Sequence, residues 1–476
     1  MPYLTSAVLG AALLCFAYLG LRARRVDGPL DDYITARNSQ TASTLGLSFL
    51  ASGMGAWILF APPEIGAFVG PLALAGYAIG SALPLLVLVL AHYGPAIRRH
   101  LPEGRSIGEF SEACYGAGVR RWVSLISVLY MACFLTAELT AIRSITALLS
   151  EVPPSLVVVG VALTTLVYTA IGGLRASLAT DRWQAWLLLA LLALVGGVAL
   201  TRLPTMPTDV AMPSIPVGSA LSVALTLVIA VTAANLFHQG YWQRVWAARD
   251  DRALARGAWL GSGITVVVVA MVGGLGMLAA MSGLALGEPP IPFFALLAAA
   301  PEWLALPALV LAVSLVVSSV DSLQNGIASL VVASSGKRGL SITAARLTTV
   351  VLMIPVVIVA LQGHSVLRLF LIADLLCAAI IVPVLLGLWP RMSPLAAVAG
   401  GVAGMLGAIL PGWIAQGSVG AGVLAASFPT GVPTLAPFLG ALLASTLVSL
   451  LIAWWRPAPR PITLHSNTPH PNTERS

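Results

Sequence analysis

A polar stripe runs through one of the apolar segments of this chain, between Ala312 and Ser329. Its members recur at steps of three and four residues, so a helix would place them on one face. They are Ser314, Ser318, Asp321, Ser322, Asn325 and Ser329. Hydrocarbon disfavours hydroxyl and carboxylate oxygens unless a cation or a hydrogen-bond donor compensates them. The stripe therefore predicts a Na⁺ site. Helix packing through small residues is the alternative for the serines, but it explains Asp321 poorly.

The composition places this stripe in an all-α polytopic membrane protein. Hydrophobic residues make up 58% of the 476 residues and charged residues only 9%, and the mean hydropathy is +0.94, which is typical of helical proteins embedded in a lipid bilayer. The net charge of +7 predicts no nucleic-acid partner, because the basic residues lie in short loops where they act as topology signals. The four cysteines have no metal-ligand spacing, and we expect no cofactor besides Na⁺ as the coupling ion.

About 13 segments are long and apolar enough to be transmembrane helices. They begin near residues 3, 44, 70, 118, 154, 181, 219, 254, 304, 341, 367, 393 and 434. Nearly all arginines and the only lysine, Lys337, fall at 22–38, 94–117, 173–182, 243–256, 334–340, 389–392 and in the tail from 456. The positive-inside rule assigns those loops to the cytoplasm. We therefore expect a plasma (inner) membrane protein with its N-terminus outside and its C-terminus cytoplasmic.

Two segments, 44–69 and 219–243, carry residues that interrupt a helix near the membrane centre. The interrupting residues are Gly53, Gly55, Pro62 and Pro63 in the first segment, and Asn235, His238 and Gly240 in the second. Matching broken helices in two oppositely oriented halves are typical of inverted-repeat transporters, which bind ligands where the helices unwind. The predicted organisation is an N-terminal helix and lead-in at 1–43, repeats at 44–202 and 219–388, two C-terminal helices at 389–455, and a disordered tail at 456–476.

Four stretches resemble the sodium/solute symporter family, which includes the sodium-coupled glucose, proline, pantothenate, iodide and sialic acid transporters. They are DDYITARNSQTASTLGLSFLASGMGAW, LPEGRSIGEFSEACYG, YTAIGGLRASLATDRWQ at 168–184, and SSVDSLQNGIASL. They follow the family's order between about residues 31 and 330, and the GGL…TD..Q element is the most specific. The resemblance implies a leucine-transporter-type 5+5 inverted repeat, with one extra helix before it and two after it.

The resemblance also implies where a primary sodium ion would bind. Its ligands would be the backbone carbonyls of Ala51, Met54 and Leu315 and the side-chain oxygens of Ser318 and Ser319. Mostly neutral oxygens suit a monovalent ion that must bind and then leave. Helix packing is the alternative role for the two serines.

Some family members bind a second sodium through the aspartate of the TD..Q motif. Here that residue is Asp181, and its partners would be Ser318, Asp321 and Ser322. Asp321 stands where the sialic acid transporters have a serine, so the two carboxylates could hold one sodium or share a proton. The alternative is that Thr180 or Asp181 simply caps a helix.

The residues that the resemblance places around a substrate are Ser52, Gly53, Gly55, Trp57, Glu138, Asn235, His238 and Asp374. Glu138 and Asp374 would suit an amine or a urea-like donor group, and free N–H groups at the broken helix would suit a carboxylate. Proline transporters carry an aspartate at the position of Gly53, which argues against proline. Structural roles are the alternatives: Glu138 paired with Arg143, His238 as a helix cap, and Trp57 as a packing residue.

The leading interpretation is a sodium-coupled symporter that imports a small-molecule solute by alternating access, with an amino acid, urea or a similar nitrogenous metabolite as substrate. One alternative is proton coupling through Asp321, Asp181 or His238. Another is a membrane-embedded solute sensor, which is disfavoured because no output domain is recognisable after residue 456. No nucleophile triad, phosphate loop or metal cluster indicates an enzyme. No sequence feature assigns an oligomeric state.

Overall fold

The computed structural model describes residues 2–22, 35–90, 92–201, 215–286, 290–298, 302–334, 342–429 and 432–457. Regular structure in these ranges is helical, with one isolated bridge between Gln40 and Ala248. The α-helices are α1 (Pro2–Arg22), α2 (Ala42–Gly53), α3 (Ala61–Phe68), α4 (Pro71–Leu90), α5 (Tyr93–His100), α6 (Ile107–Tyr115), α7 (Ala117–Leu149), α8 (Pro154–Leu200), α9 (Val217–Phe237), α10 (Gln239–Ala247), α11 (Asp251–Met281), α12 (Pro292–Ala298), α13 (Ala305–Ser334), α14 (Ile342–Ala360), α15 (Val366–Leu385), α16 (Pro394–Gln416), α17 (Val419–Ala426) and α18 (Leu435–Trp455). Short 3-10 helices span Ala56–Leu59, Glu302–Leu304 and Leu386–Leu388.

Ten of the described helices are long and apolar enough to cross a membrane, and the bent pair α2–α3 raises this number to eleven. Helix α8 is one of the ten, but Gly173 interrupts it with a φ of 58°. Tyr168 before the break and Ser177 after it both donate hydrogen bonds to Asp321. Residues nine apart lie roughly 13 Å apart along a straight helix. Because both side chains reach the same carboxylate, α8 bends sharply into two arms. With α8 counted as two spans and the shorter apolar helix α14 added, each of the thirteen predicted segments corresponds to a helix.

The first predicted break lies at Met54 and Gly55. Helix α2 ends at Gly53, a single 3-10 turn follows, and α3 begins at Ala61. Pro62 and Pro63 occupy the first turn of α3, where their missing N–H groups cost no helical hydrogen bond. The two parts of this broken helix are bent by 65°, which leaves backbone groups at the break without helical partners.

The second predicted break lies at His238, between α9 and α10. The His238 backbone is extended, and its Nδ1 accepts the Gly240 N–H at 3.1 Å, which caps α10. The predicted cytoplasmic loop at 243–256 is wrong at its start, because helix α10 continues to Ala247 and Arg244 within it is fully buried. It is also wrong at its end, because α11 already begins at Asp251. The predicted loop at 94–117 likewise contains helix α6 and all of α5 except its first residue, Tyr93.

Helix α13, which carries the polar stripe, is the central helix of the described fold. In its most apolar stretch 83% of the residues are buried inside the protein, compared with 17% for α1 and 28% for α18. Neighbouring helices approach closely through small residues: a Cβ on Gly66 would overlap the backbone of Gly273, and one on Gly276 would overlap Pro63. Such packing is typical of helices in membranes. The predicted tail from residue 458 onward and the lead-in at 23–34 lie outside the described residues.

Candidate ion and substrate sites

The polar stripe of α13 meets a buried arginine that the sequence prediction did not include. Arg244 Nη2 donates to Asp181 Oδ2 at 2.7 Å and to the Ser322 hydroxyl at 3.2 Å. Its Nε donates to the Ser48 hydroxyl at 2.7 Å, and its Nη1 donates to the Gly240 carbonyl at 2.9 Å. Arg244 and Asp181 are both completely buried. The chain itself therefore supplies a cation to one of the two carboxylates of the predicted second ion site.

The Asp181 carboxylate brings four helices together. It accepts hydrogen bonds from Ser48 of α2 at 2.6 Å and from Ser318 of α13 at 2.7 Å, besides the bond from Arg244 of α10. Asp181 itself lies in the second arm of α8, several residues after the break that begins this arm. Neither it nor Thr180 caps that helix, so the capping alternative is wrong.

Asp321 lies in the same cluster and has its own donors. Its Oδ1 accepts from the Ser177 hydroxyl at 2.7 Å and from Ser322 at 3.3 Å. Its Oδ2 accepts from the Tyr168 hydroxyl and from Thr180 at 3.2 Å. The structure thus brings together all four residues of the predicted second cation site. Five further side chains that were not predicted as ligands of this site join the cluster: Ser48, Tyr168, Ser177, Thr180 and Arg244.

The residues predicted as primary sodium ligands lie in two places, at the break after α2 and on α13, and the 3-10 turn of the break packs against α7 and α13. Within the described ranges, the carbonyl oxygens of Ala51 and Met54 accept no hydrogen bond. The Ser319 hydroxyl is buried without a hydrogen-bond partner and lies beside the Glu138 carboxylate. Three of the five predicted ligands therefore have a free oxygen. The Ser318 hydroxyl is not free, because it is bonded to Asp181. Leu315, the fifth predicted ligand, lies one turn before Ser319 in α13.

Glu138 supports the break in the first broken helix. It is fully buried, and its Oε2 accepts the Ala56 N–H at 2.7 Å, at the start of the 3-10 turn. Its Oε1 has no hydrogen-bond partner, and a Cβ on Gly55 would overlap this carboxylate. Arg143 instead lies against Gly363, so the predicted alternative of a Glu138–Arg143 pair is wrong.

A cavity of about 30 Å³ lies between the two predicted repeats, with room for about two water molecules. Its walls are Trp57, Tyr77, Phe134, Val231, Ala234, Asn235, Phe370 and Asp374. Trp57 stacks on Tyr77 with ring centroids 5.5 Å apart, and Phe134 meets Phe370 edge to face at 4.7 Å. Asp374 is only 8% exposed and makes no hydrogen bond or ion pair within the described part of the chain. Three predicted substrate residues, Trp57, Asn235 and Asp374, therefore share one cavity.

The other predicted substrate residues do not line this cavity. The Ser52 hydroxyl donates to the Ser48 carbonyl of its own helix at 2.7 Å. Gly53 lies directly under the Tyr241 hydroxyl, which leaves no room for the aspartate of proline transporters. His238 caps α10 through Nδ1 and packs edge to face on Tyr130 at 6.2 Å, while its Nε2 is buried without a partner. Gly55 and Glu138 belong to the break described above.

Sequence reasoning missed Arg244 and the aromatic walls for different reasons. Arg244 lies in QGYWQRVWA, a stretch rich in aromatic and apolar residues, and this context distinguishes it from the loop arginines that follow. That signal was available. Tyr77, Phe134 and Phe370 carry no comparable signal, because an aromatic residue in an apolar segment fits the core equally well.

No family model matches the chain. The chain is similar to the spermidine transporter DUR31 of Candida albicans, with 29% identity over 394 residues that cover 80% of this chain and 75% of the relative. The fold is similar to that of a substrate-bound, outward-open Na⁺-coupled sialic acid symporter, with a TM-score of 0.74 and 17% identity over 96% of this chain and 99% of that one. It is also similar to inward-facing Mhp1, with a TM-score of 0.56 and 16% identity over 91% and 94% of the two chains. These likenesses confirm the predicted all-α fold of the leucine-transporter type.

Proposed function

We propose that this protein is a sodium-coupled symporter of the sodium/solute symporter family that imports a small nitrogenous solute. One observation carries the proposal. The carbonyls of Ala51 and Met54 at the break after α2 accept no hydrogen bond within the described ranges. The Ser319 hydroxyl lies beside Glu138, which accepts the Ala56 N–H of the same break, and Trp57, three residues after Met54, lines the cavity. An ion and a solute would therefore share one broken helix. Ion binding that orders this break would favour solute binding, and the reverse holds by linkage.

The proposal places a single coupling sodium at the primary site. Ala51, Met54, Leu315 and Ser319 offer neutral oxygens there, which suit a monovalent cation. Asp181 already has the Arg244 guanidinium as its counter-ion. We therefore give Asp181, Ser318 and Ser322 a structural role in holding the broken helices, in place of a second sodium site.

The cavity supports an amine-bearing solute. An unpaired buried carboxylate such as that of Asp374 is unfavourable unless a proton or a cation compensates it, and the faces of Trp57 and Tyr77 attract cations. The related DUR31 protein is a spermidine transporter, which agrees with this class. Amines are therefore preferred to neutral urea among the nitrogenous solutes considered.

Proton coupling is the second candidate, and one observation favours it. Asp181 and Asp321 share a cluster that contains one guanidinium. With both carboxylates ionised the cluster has one excess negative charge, and a bound proton would balance it. The two candidates differ in what drives uptake, since a proton-coupled carrier would not need sodium.

Uptake by purified protein in proteoliposomes tests the proposal. A thermal-shift screen of amines, amino acids and urea, each in NaCl and in choline chloride, first identifies a ligand. Labelled ligand is then offered at fixed pH with an inward sodium gradient, or in choline with an inward proton gradient. We expect uptake only with sodium. Uptake driven by the proton gradient in choline would overturn sodium coupling and leave the second candidate. Accessibility labelling of the two termini in intact cells tests the proposed orientation, with the N-terminus outside and the C-terminus cytoplasmic.

A further inference from the structure

Glu138 has a carboxylate oxygen that its contacts leave without a partner. Its Oε2 accepts the Ala56 N–H at 2.7 Å, but its Oε1 forms no hydrogen bond, although the side chain is fully buried. No arginine, lysine or histidine among the described residues forms an ion pair with it. A buried carboxylate in this state is unfavourable unless a proton or a cation compensates it. The contact with Ala56 therefore accounts for only one of the two oxygens.

A second buried oxygen without a partner lies beside this carboxylate. The Ser319 hydroxyl makes no hydrogen bond of normal geometry and approaches Glu138 from α13. The 3-10 turn of the break packs against both α7 and α13, which carry these two side chains. Gly55 lets the carboxylate reach the backbone of the break, since a Cβ at that position would overlap Oε1. Two side-chain oxygens from different helices therefore meet at the break, one residue after Met54.

A small bare cation suits these oxygens better than the solute does. The walls of the solute cavity include neither Glu138 nor Ser319, so a solute in that cavity leaves the free carboxylate oxygen uncompensated. Carboxylate and hydroxyl oxygens are hard ligands that suit hard metal cations. A single carboxylate matches a monovalent ion, because Na⁺ would neutralise it, whereas a divalent ion would leave an excess positive charge in the protein interior.

We infer that Glu138 is an anionic ligand of the coupling sodium, together with Ser319 and the carbonyl of Met54. The inference deepens the proposed function and rests on it, since the proposed site otherwise contains only neutral oxygens. The same carboxylate holds the 3-10 turn through Ala56 and the ion through its other oxygen. Sodium binding neutralises a buried charge at the break, which links occupancy of the site to the order of this segment.

Sodium binding to the purified protein without solute tests the inference. It is measured as the thermal stabilisation that NaCl produces when choline chloride keeps the ionic strength constant. Glu138→Gln removes the charge but keeps an oxygen that can accept the Ala56 N–H, so a purely structural role would survive it. We expect its apparent sodium dissociation constant to rise at least about tenfold. Glu103→Gln, at an exposed position, is the control and should match the wild-type protein.

A double variant tests whether the two side chains serve one ion. Ligands of the same ion are energetically coupled, so Glu138→Gln with Ser319→Ala should weaken sodium binding at least about threefold less than the product of the two single effects. Independent effects that multiply would overturn the inference. Unchanged sodium affinity in a folded Glu138→Gln protein would also overturn it, and would leave Glu138 as a support for the break alone.

One measurement needs no variant and keeps the inference testable if Glu138→Gln fails to fold. A high-resolution map of the wild-type protein in NaCl should show the ion in contact with a Glu138 oxygen. An ion at Ser319 that lies more than about 4 Å from both carboxylate oxygens is beyond coordination distance and would refute the role of Glu138. Wild-type uptake separates this inference from the proposed function, because sodium-independent uptake would refute sodium coupling itself. Sodium-dependent uptake with unchanged affinity in Glu138→Gln would refute only the ligand role.

Discussion

Arg244 and Asp181 form a fully buried ion pair, with 2.7 Å between Nη2 and Oδ2. Arg244 follows the second helix break, whereas Asp181 lies in the second arm of α8, so the pair joins the two predicted repeats. Ser48 of the first broken helix extends this contact, since it accepts from Arg244 and donates to Asp181. Both broken helices are therefore tied to α8 at one point. A motion that separates the second broken helix from α8 must break the Arg244–Asp181 ion pair.

We expect Arg244→Ala to destabilise the protein by about 3–5 kcal/mol, because it leaves the buried Asp181 carboxylate without its counter-ion. The double variant Arg244→Ala with Asp181→Asn should lose less, since it removes the uncompensated charge as well. Denaturation of detergent-solubilised protein, followed by size exclusion, measures both effects. Arg249→Ala is the control, because its ion pair with Asp250 is exposed and such pairs contribute about 0–1 kcal/mol. Equal stability of the Arg244 and Arg249 variants would contradict the prediction.

The spans and both helix breaks could be predicted from the sequence, because each depends on a local signal. Apolar length determines which segments cross a bilayer. Gly55 and the proline pair at 62–63 mark the first break, and His238 marks the second, since each disfavours or caps a helix locally. The grouping of Asp181 with Ser318, Asp321 and Ser322 followed from motif resemblance, and the structure places these side chains in one cluster.

What the sequence did not predict depends on tertiary packing. Arg244 was assigned to a loop by the positive-inside rule, which does not distinguish an arginine facing the cytoplasm from one that is buried against a carboxylate. Glu138 looked like a substrate ligand, although its partner is a backbone N–H released by the break, which only the three-dimensional contact reveals. Tyr77 and Asp374 line one cavity from two different helices, and no sequence spacing encodes that meeting.

Ser319→Ala is the sharpest test of the primary sodium site. The Ser319 hydroxyl makes no hydrogen bond of normal geometry in the described structure and only approaches the Glu138 carboxylate, so its removal costs little internal bonding. We expect the sodium concentration for half-maximal uptake to rise about tenfold, which corresponds to about 1.4 kcal/mol. Solute affinity at saturating sodium should change little. Sodium titrations of uptake in proteoliposomes give both values.

The control for this substitution is Ser314→Ala on the same helix, because the Ser314 hydroxyl bonds to the Val310 carbonyl of its own helix. We expect its sodium dependence to match that of the wild-type protein. If Ser319→Ala and Ser314→Ala give the same sodium dependence, Ser319 is not a sodium ligand.

Gly55→Ala should disrupt the first helix break. An added methyl group would overlap the buried Glu138 carboxylate, and overpacking of this kind costs about 1–3 kcal/mol. We expect a lower melting temperature and a loss of transport, because the same break positions Ala56, Met54 and Trp57. Gly274→Ala in α11 is the control, since open space surrounds that position. A Gly55→Ala protein as stable and active as Gly274→Ala would show that Glu138 does not pack against the break.

His238 distinguishes a structural cap from a proton carrier. Because its Nδ1 accepts the Gly240 N–H, His238→Ala should lose about 1 kcal/mol of stability, whereas asparagine supplies an equivalent acceptor and should lose only a few tenths. We expect His238→Asn to transport with the same dependence on pH as the wild-type protein, since a cap needs an acceptor and not a titrating group. Initial uptake rates between pH 5.5 and 8.5 measure this pH dependence. The range runs from roughly one unit below to two units above the unperturbed histidine pKa. A stable His238→Asn protein whose uptake no longer varies with pH would instead assign His238 to proton transfer and favour the proton-coupled mechanism.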